Sequence, residues 1–83
     1  MFDIGNSLRE ARESQGLALL QVEAETKIRA KYLRALEEER FDQLPAINYA
    51  RGFLEVYARR LGLDSQIYID EFDSRFTLGE FGK

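Results

Sequence analysis

The stretch Leu19-Leu20-Gln21-Val22-Glu23-Ala24-Glu25-Thr26-Lys27-Ile28-Arg29-Ala30-Lys31-Tyr32-Leu33-Arg34-Ala35-Leu36-Glu37 decides the fold. Its apolar residues return every three or four positions and never alternate, which is helical and not strand patterning. A short helix near 19–25 presents Leu19 and Val22 inward, Thr26-Lys27 forms a tight connection without glycine, and a further helix begins near Ile28. At about 100° per residue, Ile28, Tyr32, Leu33 and Leu36 share one arc of roughly 140°, a core face. The outward set of the same helix is Ala30, Lys31, Arg34 and Glu38, and the acidic run Glu37-Glu38-Glu39 ends it.

The flanking sequence supplies three more helices and no strand. Asp3 is placed to cap a first helix over about 4–15, with Ile4, Leu8 and Ala11 on one face and Gly16 as its left-handed stop. Phe41-Asp42-Gln43-Leu44-Pro45 breaks the pattern, and Pro45 fits just ahead of, or in the first turn of, a fourth helix over about 46–61. Gly62 stops that helix, Asp64 caps a fifth, and Ile69, Phe72 and Phe76 form the inward stripe of the fifth. The fold class expected is all-α, a compact five-helix domain over residues 3–76. Helices two and three have the lengths and short link of a helix-turn-helix core, in which the third helix is the one offered to a DNA major groove. Thr77 to Lys83 reads as a flexible tail, and the chain as the N-terminal piece of a longer protein.

Composition narrows the function. The 83 residues are 45% hydrophobic and 33% charged, the makeup of a single globular domain. The chain has neither histidine nor cysteine, so it offers no disulfide, no thiolate or imidazole metal site and no tuned base beside a nucleophile. Asp70, Glu71 and Asp73 lie on a helix, without the glycine-turned loop that calcium requires, and read as a solvated face. The expectation is therefore a non-enzyme with no cofactor and no small-molecule substrate. No apolar run approaches the roughly 20 residues of a membrane span, and the formal net charge of −3 gives no global attraction to phosphate.

The fourth helix carries a second strip beside its core face. With Tyr49 at 0°, Tyr57, Ala50, Leu61, Leu54 and Ala58 fall between about 80° and 180°, whereas Val56, Arg60 and Phe53 lie near 340°, 20° and 40°. Two aromatics and an arginine off the core make an anchor patch, unless the fifth helix or the Phe41 loop folds over it. Gly52 sits in mid-helix at a cost of about 1 kcal/mol relative to alanine, which implies that something packs closely against the backbone there, either the fifth helix or a partner.

A set of residues sharpens the assignment: Ile4-Gly5, Leu8-Arg9-Glu10-Ala11-Arg12-Glu13, Gly16-Leu17, Thr26-Lys27-Ile28, Tyr32-Leu33, Ala35-Leu36-Glu37, Phe41, Leu44-Pro45, Tyr49-Ala50-Arg51-Gly52-Phe53-Leu54, Tyr57-Ala58 and Leu61-Gly62-Leu63. Together they resemble the N-terminal cytoplasmic domain of the RodZ family of bacterial cell-shape proteins, within the Cro and phage-repressor helix-turn-helix superfamily. The resemblance spans about residues 3–76, and residues 49–54 are its most specific part. It implies a domain at the cytoplasmic end of a single-pass membrane protein, docked on the actin-like filament protein MreB and linking it to wall synthesis. It also implies docking through the aromatics at Tyr49 and Phe53, with Arg51 and Gly52 between them. The partner-binding set is then Tyr49, Arg51, Phe53, Val56 and Arg60. One position departs from the family, which usually has a small residue in the middle of helix two, where this chain has Glu23 followed by Ala24. Either that helix is slightly rotated or Glu23 snorkels out of the turn.

DNA binding is the alternative. Lys27, Arg29, Lys31 and Arg34 place four cations around the third helix. Its outward face has no Asn, Gln, Ser or Thr to read adenine, although Arg34 or Lys31 can address guanine. Glu37, Glu38 and Glu39 repel phosphate but can pair with cations one turn earlier, which makes a solvated, salt-bridged helix face the plainest account of the set.

Overall fold

Asp3 opens the chain's first helix by accepting a hydrogen bond from the Asn6 N–H at 3.0 Å. The computed structural model describes residues 2–76. Among them are five helices, α1 (Ile4–Ser14), α2 (Leu19–Thr26), α3 (Ala30–Glu37), α4 (Ile47–Arg60) and α5 (Ser65–Phe76), with a single 3-10 turn at Phe41–Gln43 and no strand. The tail expected at 77–83 lies outside the described residues. Boundaries agree with the sequence reading to within one or two positions. The largest difference is at α3, which starts at Ala30 and not Ile28 because Lys27 adopts a left-handed conformation (φ 67°) and Arg29 is its extended N-cap.

The turn between α2 and α3 is held by three side-chain bonds. Thr26 Oγ1 donates to the Val22 carbonyl at 2.8 Å and accepts from the Ile28 N–H at 3.2 Å. Glu23 Oε1 accepts from the Ala30 N–H at 3.1 Å, capping α3 from across the turn. That bond accounts for Glu23, where the sequence reading expected a small residue: the side chain neither enters the core nor snorkels away but replaces the missing side-chain cap at Arg29.

Fully buried Ile4, Leu8, Val22, Leu33, Leu36, Leu54, Tyr57 and Phe72 bring all five helices into one core. Its lower end is aromatic. Phe41 stands edge-on to Phe72 and Phe76 at 5.2 and 5.5 Å, so the 3-10 turn seals the core against α5. α1 crosses the end of α3 at Gly5, where a Cβ would sit 2.1 Å from the Glu37 carbonyl oxygen, so glycine is required for that approach. Directly beneath, the Glu37 side chain is buried and accepts from Arg12 Nε and Nη2 at 2.7 and 3.2 Å and from the Tyr57 hydroxyl. Arg12 Nη1 also donates to the Leu17 carbonyl at 2.9 Å. The bonded carboxylate outweighs burial and raises the Arg12 pKa. Burial, reinforced by the hydrogen bond to Glu37, raises that of Tyr57 well above its ordinary 10.0.

Candidate docking site

The helical pitch of α4 puts Leu54, Tyr57, Ala58 and Ala50 into the core, and this orients the opposite edge outward. On that edge Tyr49 is 55% and Val56 43% exposed, two of the four large hydrophobics that are exposed among the described residues. Phe53 lies between edge and core. Its ring stacks on Tyr49 at 5.7 Å on one side and on Tyr32 of α3 at 5.8 Å on the other, with planes 26° and 27° apart. Lys31 Nζ stands 5.2 Å over the Tyr32 ring. The result is a three-ring ladder joining α3 to α4, half-buried at its middle, open at Tyr49 and topped by a cation.

Neither the fifth helix nor the Phe41 turn covers this strip. Phe41 turns to Phe72 and Phe76, and α5 packs on a different side of α4, where Arg51 Nε and Nη2 donate to Asp73 at 2.9 and 3.0 Å. The structure therefore separates Arg51 from Tyr49, Phe53 and Val56. At about 200° around the helix, it ties α4 to α5, and its bond to Asp73 raises its pKa. Arg60 does end the strip, but its guanidinium bonds Glu25 of α2, and that contact raises the Arg60 pKa and lowers the Glu25 pKa.

Helix five is not what packs on Gly52. Nothing among the described residues lies within 4 Å of where its Cβ would be, and the residue is exposed. Its φ is not positive, so neither packing nor conformation calls for glycine.

The cations around α3 contrast with most of the arginines elsewhere. Arg12, Arg40, Arg51, Arg59, Arg60 and Arg75 each hold a carboxylate. Lys27, Arg29, Lys31 and Arg34 are all exposed and make no ion pair among the described residues. Among the described residues the salt-bridged face expected for α3 does not form, because its acidic run turns elsewhere. Glu37 takes Arg12, Glu38 takes Arg40, and Glu39 takes the Gly5 N–H and Arg75. The acids of α5 are also engaged: Gln66 donates to Asp70, Arg75 to Glu71 and Arg51 to Asp73.

Residues 7–67, which include the locked α2–α3 turn and most of α4, match a family of helix-turn-helix domains. The chain belongs to that helix-turn-helix family. This helix-turn-helix domain is 46% identical over 71 residues to the cytoskeleton protein RodZ of Streptococcus pneumoniae, covering 86% of this chain and 26% of that protein. It is 40% identical over 55 residues to the uncharacterized membrane protein YmfM of Bacillus subtilis, covering 66% of this chain and 19% of that one. The domain thus spans about a quarter or less of the length of these curated relatives. No solved structure matches it. No described helix is long and apolar enough to cross a membrane.

Sequence reasoning placed Tyr49, Phe53 and Val56 together through helical periodicity alone. It missed Tyr32 as part of the same surface, having assigned it wholly to the core. Tyr32 lies inside the core arc by this count, and only its neighbour across the α3–α4 contact, Phe53, shows that its ring also serves the strip.

Proposed function

We propose that this is a non-catalytic adaptor domain that binds the actin-like filament protein MreB and couples it to cell-shape and wall-synthesis machinery, at the inner face of the cell membrane in the full-length protein. The observation that carries this reading is the exposure of Tyr49 and Val56 beside the stacked Phe53, an apolar edge with rigid aromatic anchors next to a fully formed core. The cytoskeletal name of the Streptococcus pneumoniae relative supports it. Tyr49, Val56 and the exposed edge of Phe53 supply the contact, while Arg60 limits it at one end and Arg51 acts at a distance by holding α5. The test is co-sedimentation of the purified domain with polymerised MreB from the same organism. Wild type pellets with filaments, and Tyr49→Ala loses affinity by about tenfold or more while keeping its helical circular dichroism. A Tyr49→Ala variant that pellets like wild type contradicts the reading.

A second reading, DNA contact through α3, draws on the four exposed cations Lys27, Arg29, Lys31 and Arg34. Against it stands Glu23, whose carboxylate occupies the α3 N-terminus where a phosphate would otherwise be received. If all four cations neutralise phosphates, log K for duplex DNA falls with log salt at a slope of about −3.6. Lys31→Ala and Arg34→Ala each lower that slope by about 0.9. A domain that retains no duplex at low salt excludes this reading.

A further inference from the structure

The segment from α2 through α3 exposes apolar and basic side chains while its acids are occupied. On α2, with the buried Val22 at 0°, Leu20 and Ala24 fall at about 160° and 200°, and Lys27, at the C-cap, at about 140°, so all three lie on the outward side. Leu20 is 71% exposed, more than any other large hydrophobic among the described residues. Lys27 and Arg29 occupy the turn itself, and Lys31 and Arg34 stand about 60° apart on the outward side of α3, about 4.5 Å apart along its axis. The carboxylates point elsewhere: Glu23 caps α3 at Ala30, and Glu25 holds Arg60. Glu38, beyond Arg34 on the same side of α3, takes Arg40 at 3.5 Å. Lys31 Nζ lies 5.2 Å over the Tyr32 ring, a contact that leaves its positive charge uncancelled. In a chain of formal net charge −3, four cations between Lys27 and Arg34 are a local concentration of the opposite sign.

Exposed lysines and arginines in such a cluster suit an array of phosphates, and two surfaces present one, a nucleic-acid duplex and an anionic bilayer. The outward side of α3 has no amide or hydroxyl to read adenine, and Glu23 closes the α3 N-terminus to a phosphate. Leu20 decides between the two. On a duplex it would stay in water or face a charged backbone, whereas at a bilayer interface it sinks among the headgroups beside cations that keep their charges in the polar layer. We propose that Leu20, Lys27, Arg29, Lys31 and Arg34 form a face that rests on an anionic phospholipid surface, with Leu20 inserted at headgroup level and the cations on lipid phosphates. The face uses none of the residues of the Tyr49–Val56 edge, so it stands or falls independently of filament docking.

The experiment sediments the 83-residue chain with vesicles of phosphatidylglycerol and phosphatidylcholine in equal parts, and with vesicles of phosphatidylcholine alone. The chain pellets with the first and not with the second, and about 1 M salt, where the screening length falls to about 3 Å, releases most of it. Lys27→Asn, Arg29→Gln, Lys31→Gln and Arg34→Gln each weaken partitioning by about fivefold, and Leu20→Ala by about tenfold, with helical circular dichroism unchanged. Arg59→Gln removes the same charge from an exposed position of α4 and pellets as wild type does. Folded wild type that stays in solution with the anionic vesicles overturns the proposal. So does an Arg59→Gln loss equal to that of the four cations, because net charge and not this face would then be responsible, and so does a Leu20→Ala chain that pellets as well as wild type. Tighter retention on duplex DNA than on anionic vesicles at equal phosphate concentration assigns the cations to nucleic acid and overturns it as well.

Discussion

Glu37, the last residue of α3, holds Arg12 of α1 side-on, with its Oε2 2.7 Å from Nε and its Oε1 3.2 Å from Nη2, at a site where the carboxylate side chain is 4% exposed. A pair so buried stabilises the fold mainly by being complete, because removing either member strands the other's charge away from water. Glu37→Ala is therefore expected to cost about 3 kcal/mol, which leaves a small domain close to its unfolding midpoint. Replacing the whole cluster by apolar groups, Arg12→Met, Glu37→Met and Tyr57→Phe together, costs less than Glu37→Ala alone. Urea denaturation of the two proteins decides it. A Glu37→Ala protein within about 0.5 kcal/mol of wild type contradicts the assignment.

The Tyr57 hydroxyl donates to the same carboxylate, and its folded pKa lies well above 10.0. The stabilisation linked to this group is fully present below pH 10, the unfolded value, and is lost as pH rises further, because the unfolded chain releases a proton that the folded one retains. Above pH 10 the wild-type domain is expected to lose stability more steeply than Tyr57→Phe, by up to about 1.4 kcal/mol per pH unit. The other tyrosines are present in both proteins and cancel. Urea midpoints at pH 8 and pH 11 measure the difference, and parallel pH dependence in the two proteins refutes it.

Glu23 supplies the N-terminal cap of α3 from a neighbouring helix. Glu23→Ala leaves the Ala30 N–H without its acceptor and is expected to cost about 1 kcal/mol, a Tm lower by about 4–8 °C. Glu23→Gln keeps a carbonyl oxygen in place and costs less. Equal melting of Glu23→Ala and wild type shows that the turn is held without this bond.

Phe53 and Tyr49 separate structure from recognition. Phe53 is half-buried between two rings and packs on the core, so Phe53→Ala is expected to destabilise by about 2 kcal/mol. Tyr49, stacked on one side only and 55% exposed, costs under about 1 kcal/mol as alanine. Chemical denaturation of the two single variants checks the order, and the reverse order places the open end of the ladder at Phe53. A binding defect in Phe53→Ala is therefore interpretable only beside its stability, whereas one in Tyr49→Ala reports on the surface.

Whatever depends on neighbours within about one turn was legible in the residues. Asp3 and Asp64 cap helices, Gly16 and Gly62 end them, and the spacing of Leu54, Tyr57, Ala58 and Leu61 orients α4, because caps and periodicity are set by local backbone geometry. The edge carrying Tyr49 and Val56 followed from the same count. Partners distant in sequence did not. Glu37, Glu38 and Glu39 are alike as letters, yet one is buried under Arg12, one faces water with Arg40 and one bridges to Gly5 and Arg75. Gly5 and Gly52 are equally silent in a helical pattern, but the first is pressed against the Glu37 backbone and the second against nothing among the described residues. Arg51 belonged to the docking strip by its place in a motif and was taken by Asp73, 22 positions away. Local periodicity alone determined the five helices and the face each turns inward; which charges are matched, which glycine is crowded and which edge stays open was decided only when packing set the distances between helices, since burial and pairing are properties of those distances and not of the order of residues.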